Sequence, residues 1–209
     1  MPESSVQILA VLRDGSHFQW YVIPMLSFAF YVYTVEVEKR NWSLVLAGLA
    51  FWGMDWFNEI WNGLFFHFSG YAPVWGTPGS SAYIILAGLS VEIMFMFSVA
   101  GIIWTKMLLP DKNAKILGIN NRWFIAFAGS AFSVFIEYLL NSVNALTWEY
   151  IWWNRGAPFL IFLFGYLTFF LVAFCVYDME NMKRKLLTVG GIWAFDIIAL
   201  ILFISLGWI

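Results

Sequence analysis

The chain has 209 residues, of which 62% are hydrophobic and 11% charged, with a net charge of −2. That composition excludes a soluble globular domain and indicates a polytopic membrane protein. It holds no basic stripe that would suit a nucleic acid. Its single cysteine, Cys175, lies in an apolar run, cannot form an intrachain disulfide, and reads as a small packing residue.

In chain order, Met1–Ser16 is polar and lacks the basic start, apolar stretch and cleavage site of a signal peptide, so the first span is expected to insert as an uncleaved anchor. Hydropathy then predicts an all-α bundle with spans at about 17–36, 42–68, 81–107, 122–148, 158–177 and 186–208, together forming one domain over 1–209. Under this six-span reading one side carries Lys39, Arg40, Lys106, Lys112, Lys115, Arg122, Lys183, Arg184 and Lys185. The other side carries only Arg13 and Arg155. The positive-inside rule makes the first side cytoplasmic and places both termini outside. The expected location is an integral position in the cell membrane, if the host is bacterial. The uncharged Gly/Pro-rich connection 69–80 is expected to be a shaped turn. The aromatic connection 147–158 is expected to be an interfacial belt, with a lid as the alternative. Trp75, Trp152 and Trp153 belong to that belt reading.

The second span is the polar one. Asp55, Glu59 and Asn62 stand at i, i+4 and i+7 and share a helical face, with Asn58 beside it. Trp52, Trp56 and Trp61 sit in the same span. Span three adds Glu92, and span four repeats the pattern with Glu137, Asn141 and Asn144. Span six adds Asp196. Five carboxyls are thus expected to converge on one level of the bundle with no lysine or arginine beside them, and several should be protonated at neutral pH. Interhelical clamping by hydrogen bonds is the bland account of such groups. Ionisable residues inside a membrane point to function by default.

The chemistry can be narrowed. Only two histidines are present, His17 and His67, and both fall at span ends, where ordinary hydrogen bonding is a simpler account than a bracketed haem. No mid-span lysine offers a retinal attachment, and no phosphate loop, Asp-Asp-x-x-Asp motif or Ser-His-Asp arrangement is visible. Neither a metal nor a cofactor is expected. Buried acids, aromatic faces that stabilise positive charge, and exclusion of water suit a carbocation reaction begun by protonating an alkene or epoxide.

In length, helical layout, aromatic richness and the positions of Glu59 and Asp196, the chain resembles the small integral-membrane terpene cyclases. Fungal members of that family make meroterpenoids and indole diterpenes, and bacterial relatives cyclise farnesylated indole alkaloids of the drimentine type. The resemblance implies a cofactor-independent cyclase of secondary terpenoid metabolism. Glu59 and Asp196 would be its acid–base pair and a prenylated lipophilic molecule its substrate. That family is usually drawn with seven spans, against six here. On this reading Asp55, Glu92 and Glu137 support the pair, Asn58, Asn62 and Asn141 orient carboxyls, and Trp52, Trp56 and Trp61 stabilise the cation. The same residues would serve a double-bond isomerase acting on a sterol-like or carotenoid lipid. A small transporter or ligand-binding receptor could also use such a carboxyl cluster. A structural subunit would instead spread its acids over outward surfaces.

Overall fold

The computed structural model describes residues 1–79 and 81–209, with His17 described by its backbone alone. Ser80, the last residue of the connection read as a shaped turn, lies outside the described residues, as does the His17 side chain that entered the haem argument. A short helix α1 (Glu3–Val11) is followed by a 3-10 turn at Gly15–His17. Six longer helices form the bundle: α2 (Val22–Glu38), α3 (Trp42–Ser69), α4 (Val91–Lys106), α5 (Asn121–Ser142), α6 (Pro158–Asp178) and α7 (Met182–Ser205). Three of them, α5, α6 and α7, are long and apolar enough to cross a membrane by themselves.

Helix α3 is the axis. It has no proline over 28 residues, runs roughly 42 Å at 1.5 Å per residue, and packs against α2, α4, α6 and α7. Small residues let its neighbours close in. A side chain on Gly101 would come within 2.9 Å of the Gly48 carbonyl, so α3 and α4 cross nearly backbone to backbone. The main core lies between α3, α5 and α6, around Phe51, Ile125, Ala126, Phe169, Phe170 and Phe174. Phe51 sits edge-on to Phe170, with ring centroids 5.1 Å apart. Much of the outward face of α7 is exposed and apolar, including Ile197, Ile198 and Ile201. Cys175 also faces outward, not into packing.

Two expected spans are shorter than hydropathy suggested. Helix α4 starts at Val91, because residues 81–90 fold into a small antiparallel hairpin, β1 (Ile84–Leu86) with β2 (Leu89–Ser90). The Ser90 hydroxyl then caps the helix by accepting from the Ile93 N–H. Helix α5 stops at Ser142, since Asn144 turns into the left-handed region at φ 57°. The polar stripe read at Glu137, Asn141 and Asn144 is therefore broken at its third member. A second hairpin, β3 (Lys115–Ile116) with β4 (Ile119–Asn120), turns at Leu117 and Gly118, both with positive φ as tight hairpins favour.

The bundle has two unlike ends. At one, α1, the β1–β2 hairpin, loop 70–79 and loop 143–157 knit into a cap. Leu12 bridges Ile84 in parallel, Gly76 exchanges backbone hydrogen bonds with Thr147, and Ile8 of α1 is fully buried against Phe66 and Ala87. The other end carries the basic connections. There Arg122 grips Asp178 with two hydrogen bonds of 2.9 and 2.8 Å.

Candidate active site

The polar stripe of α3 is buried as its periodicity requires: Asp55 is 2% exposed, Glu59 4% and Asn62 0%. Its members do different things. Asn62 holds the cap: its Oδ1 accepts from the Val74 N–H at 2.7 Å, and its Nδ2 donates to the Trp75 carbonyl at 2.7 Å. That pair draws loop 70–79 down into the bundle. Trp75 then reaches Glu59, its Nε1 donating to Oε1 at 2.7 Å. The uncharged loop is thus a lid on the carboxyl.

Gly88, between β1 and β2, makes room for this lid. A Cβ there would lie 2.5 Å from the Trp75 indole and 2.6 Å from Asn62 Nδ2. Trp75 cannot retreat, because its ring stacks between Trp61 and Trp153 with centroids 6.0 and 5.5 Å away.

A second carboxyl comes from α5. Glu137 is buried and its Oε1 accepts from the Tyr166 hydroxyl at 2.6 Å. Tyr166 lies in a π-helical segment of α6, Ile161–Leu167. Such segments are rare, shift the side-chain register by an extra residue, and often mark functional sites. Here both Gly165 and Tyr166 line one cavity, and Asn58 donates to the Phe164 carbonyl at 3.2 Å across the same segment.

The cavity has a volume of about 610 Å³ and is lined by Asp55, Asn58, Glu59, Glu137 and Tyr166 among mainly apolar and aromatic groups. Trp75 and Trp153 close it under the cap, and Trp104 and Met107 line it towards the basic end. Ile93 of α4 and Met107, just past its end, both line it, so it is roughly 20 Å long at 1.5 Å per residue. Five of its lining residues, Phe28, Met96, Ile103, Met107 and Phe132, are also on the outer surface of α2, α4 and α5. The cavity therefore opens sideways, beside the gap between α4 and α5.

Its carboxyls are buried but unneutralised, and two of them, Glu59 and Glu137, are each tethered through one oxygen. Asp55 Oδ2, Glu59 Oε2 and Glu137 Oε2 are buried without a hydrogen-bond partner. Buried polar atoms normally find one, so such orphans invite a functional account. Among the described residues, no three of His, Cys, Asp and Glu are gathered closely enough to hold a metal ion.

Several sequence-predicted residues stand elsewhere. Glu92 is outside the cavity: it accepts from the hydroxyls of Tyr21 and Ser81 and from the Ala82 N–H, so it clamps the chain before α4. Asp196 is fully buried between α7 and α3, and a Cβ on Gly53 would sit 3.6 Å from its Oδ2, but it is not part of the cavity wall. The five carboxyls thus do not all converge on one site. Asn141 serves the cap, donating to the Leu146 carbonyl and accepting from Arg155 Nε, each at 2.9 Å. Trp52, Trp56 and Trp61 also lie off the wall; Trp52 packs edge-on against Trp193. The aromatic residues that do line it include Trp75 and Trp153, which the sequence assigned to the interface. Trp153, 4% exposed, makes loop 143–157 a lid more than a belt. Tyr166 passed unnoticed inside an apolar run. A lone phenol at the same depth as Glu137 was the signal that could have found it.

The comparisons with known proteins give a lineage without a chemistry. An Archaeoglobus fulgidus protein described as uncharacterized is 53% identical over 204 residues, covering 98% of this chain and 97% of its own length. A shorter uncharacterized protein of that archaeon is 51% identical over 53 residues, which are 25% of this chain and 95% of its own length. No solved structure matches. The family that matches covers residues 2–205, nearly all of the bundle just described, and the chain accordingly belongs to that uncharacterized membrane protein family.

Proposed function

We propose that this chain is a six-span membrane enzyme that takes an elongated, prenylated lipophilic molecule into the cavity and rearranges it by proton transfer, as a cyclase or a double-bond isomerase. Helices α2 to α7 are the six crossings, the basic end faces the cytoplasm, and the capped end with both termini faces out. The carrying observation is the pair of tethered carboxyls, Glu59 and Glu137, each with one oxygen held and one free, on the wall of one apolar cavity. Roughly 300–1,000 Å³ is usual for a small-molecule site, and about 610 Å³ of long, aromatic-walled space suits a polyene. Aromatic faces such as Trp75, Trp104, Phe97 and Phe169 can lie against a developing cation. The sideways opening suits a substrate that arrives dissolved in lipid.

The resemblance to integral-membrane terpene cyclases supports the same chemistry at Glu59. Its second carboxyl, Asp196, is replaced in this proposal by Glu137, which faces the cavity. A transporter of cations would need a polar path, whereas this cavity is apolar over most of its length.

The test is to feed membranes carrying the protein farnesylated and geranylgeranylated aromatic precursors and look for an isomer of unchanged mass. General acid–base groups contribute roughly 100-fold to 10,000-fold, so Glu59→Gln and Glu137→Gln should each lower isomer formation by about 100-fold or more. Equal activity in both variants would remove the carboxyl pair from the chemistry. Glu59-dependent proton flux into liposomes without any isomer would favour a transporter.

A further inference from the structure

We propose that Glu59 is the proton donor of this site and Glu137, held by Tyr166, the proton acceptor. The assignment rests on the acid–base reading above and divides its labour. It follows from what the neighbours of each carboxyl can do.

An indole N–H donates and never accepts. Glu59 Oε1, bonded to Trp75 Nε1, is therefore always an acceptor. The other polar group beside it, Asn62, has its Oδ1 occupied by the backbone N–H groups of Val74 and Trp75. Asp55 and Glu137 also carry acceptor oxygens on the same cavity, but neither is hydrogen-bonded to Glu59: Glu59 Oε2, Asp55 Oδ2 and Glu137 Oε2 all stand without a partner. A proton on this carboxyl consequently resides on Oε2, the oxygen without a partner. It can leave for the cavity without breaking a hydrogen bond.

Glu137 has a different companion. A tyrosine hydroxyl both donates and accepts. Tyr166 donates to Oε1 when Glu137 is a carboxylate, a charge-assisted bond, and can turn to accept once Glu137 is protonated. Glu137 can thus take a proton at either oxygen and keep its partner. The π-helical segment of α6 supplies that tyrosine to the cavity wall.

The step balances without a further reactant. The Glu59 O–H bond breaks and an alkene π pair forms a new C–H bond, leaving a cation on the adjoining carbon. After ring closure or hydride shift, Glu137 removes a proton beside the final cation. The electrons of that C–H bond become the new C=C bond. The product is an isomer, and a proton returned from Glu137 to Glu59 across the shared cavity restores the site.

Infrared spectroscopy of the protein in lipid nanodiscs tests the assignment with no substrate at all. A protonated carboxyl that donates no hydrogen bond has a distinct high-frequency C=O stretch that moves in deuterated buffer. The wild type should show such a band from Glu59, beside any from Asp55 and Asp196, which also hold unpartnered oxygens. It should be lost in Glu59→Gln, shifted in Trp75→Phe, and unchanged in Glu137→Gln and Tyr166→Phe. A band that survives Glu59→Gln but disappears in Glu137→Gln would overturn the assignment, and so would a wild type with no such band. Because the readout is independent of turnover, failure here with an intact Glu59- and Glu137-dependent isomerisation would sink only the division of roles. Loss of that isomerisation would sink the reading beneath it.

Discussion

The two ends of the bundle treat buried carboxyls in opposite ways. At the basic end Glu36 is 2% exposed, but Lys106 reaches it at 2.6 Å, Lys39 at 3.6 Å and Asn41 at 3.1 Å. Asp178, which is only partly buried, is chelated by Arg122. Beneath the cap, Glu59 and Glu137 are as well buried, but each has only a neutral donor, Trp75 or Tyr166. The nearby Arg155 is spent on Asn141 and on the Tyr138 carbonyl, not on Glu137. A buried charge that is paired clamps structure. A carboxyl that is positioned but not neutralised remains available to exchange a proton. The positions of the cations, more than those of the acids, separate the two kinds.

The sharpest way to break this contrast is to disturb the lid and leave every acid in place. Gly88→Ala puts a methyl group into the space of the Trp75 indole, which two stacked tryptophans keep from moving. Misplacing a positioning group by about 1 Å can cost about 100-fold in rate, and that loss is expected in the isomer assay, with the protein still monodisperse. Unchanged turnover would mean that the Trp75 contact has no part in the reaction.

At the basic end the same logic predicts lost stability, with the chemistry preserved. Lys106→Met leaves Glu36 buried with its best cation gone. Breaking a buried pair costs about 3–5 kcal/mol, and the low end applies because Lys106 is itself half-exposed. Adding Glu36→Gln should recover most of the loss in thermal unfolding measured in detergent. A single Lys106 variant as stable as wild type would show that this pair is not a clamp.

The sequence carried the apolar and periodic parts of this account well. Helix α3 begins with the second apolar run and ends within a residue of it, and the burial of Asp55, Glu59 and Asn62 follows from their spacing on α3. What it hid was tertiary. A stretch such as 81–90 is apolar enough to extend a helix, but its Gly88 and its pairing with Leu12 and Trp75 only acquire meaning in the fold. Trp75 and Trp153 look like interfacial residues from position alone, and only the backbone hydrogen bonds of Asn62 and Thr147 pull their loops inward. The π-helical register of Ile161–Leu167 has no marker in a run of apolar residues, so the pairing of Tyr166 with Glu137 was out of reach.

Glu92 offers a smaller test between the two ends. It lies at the cap end but behaves as a clamp, gathering Tyr21, Ser81 and the Ala82 N–H. Hydrogen bonds to a charged group contribute about 1.5–3 kcal/mol, and Glu92→Gln keeps the shape but not the charge. About 2 kcal/mol of lost stability is expected, given partial compensation by the amide, with isomer formation unaltered per folded molecule. A parallel loss of activity would bring Glu92 back among the reacting groups.

The smallest effect should come from Asp196→Asn, and it is informative because it is small. The resemblance to membrane terpene cyclases gives this last-span carboxyl a direct acid–base role, which predicts a loss of about 100-fold or more. The structure places Asp196 against Gly53 at the α3–α7 contact, off the cavity wall, with neither oxygen hydrogen-bonded. Asparagine has the same shape, and Asp196 makes no hydrogen bond for it to lose. Turnover should then stay close to wild type while Glu137→Gln is inactive. If Asp196→Asn fails and Glu137→Gln survives, the proton path runs through the α3–α7 contact beside Asp55, and the cavity carboxyls are its end point.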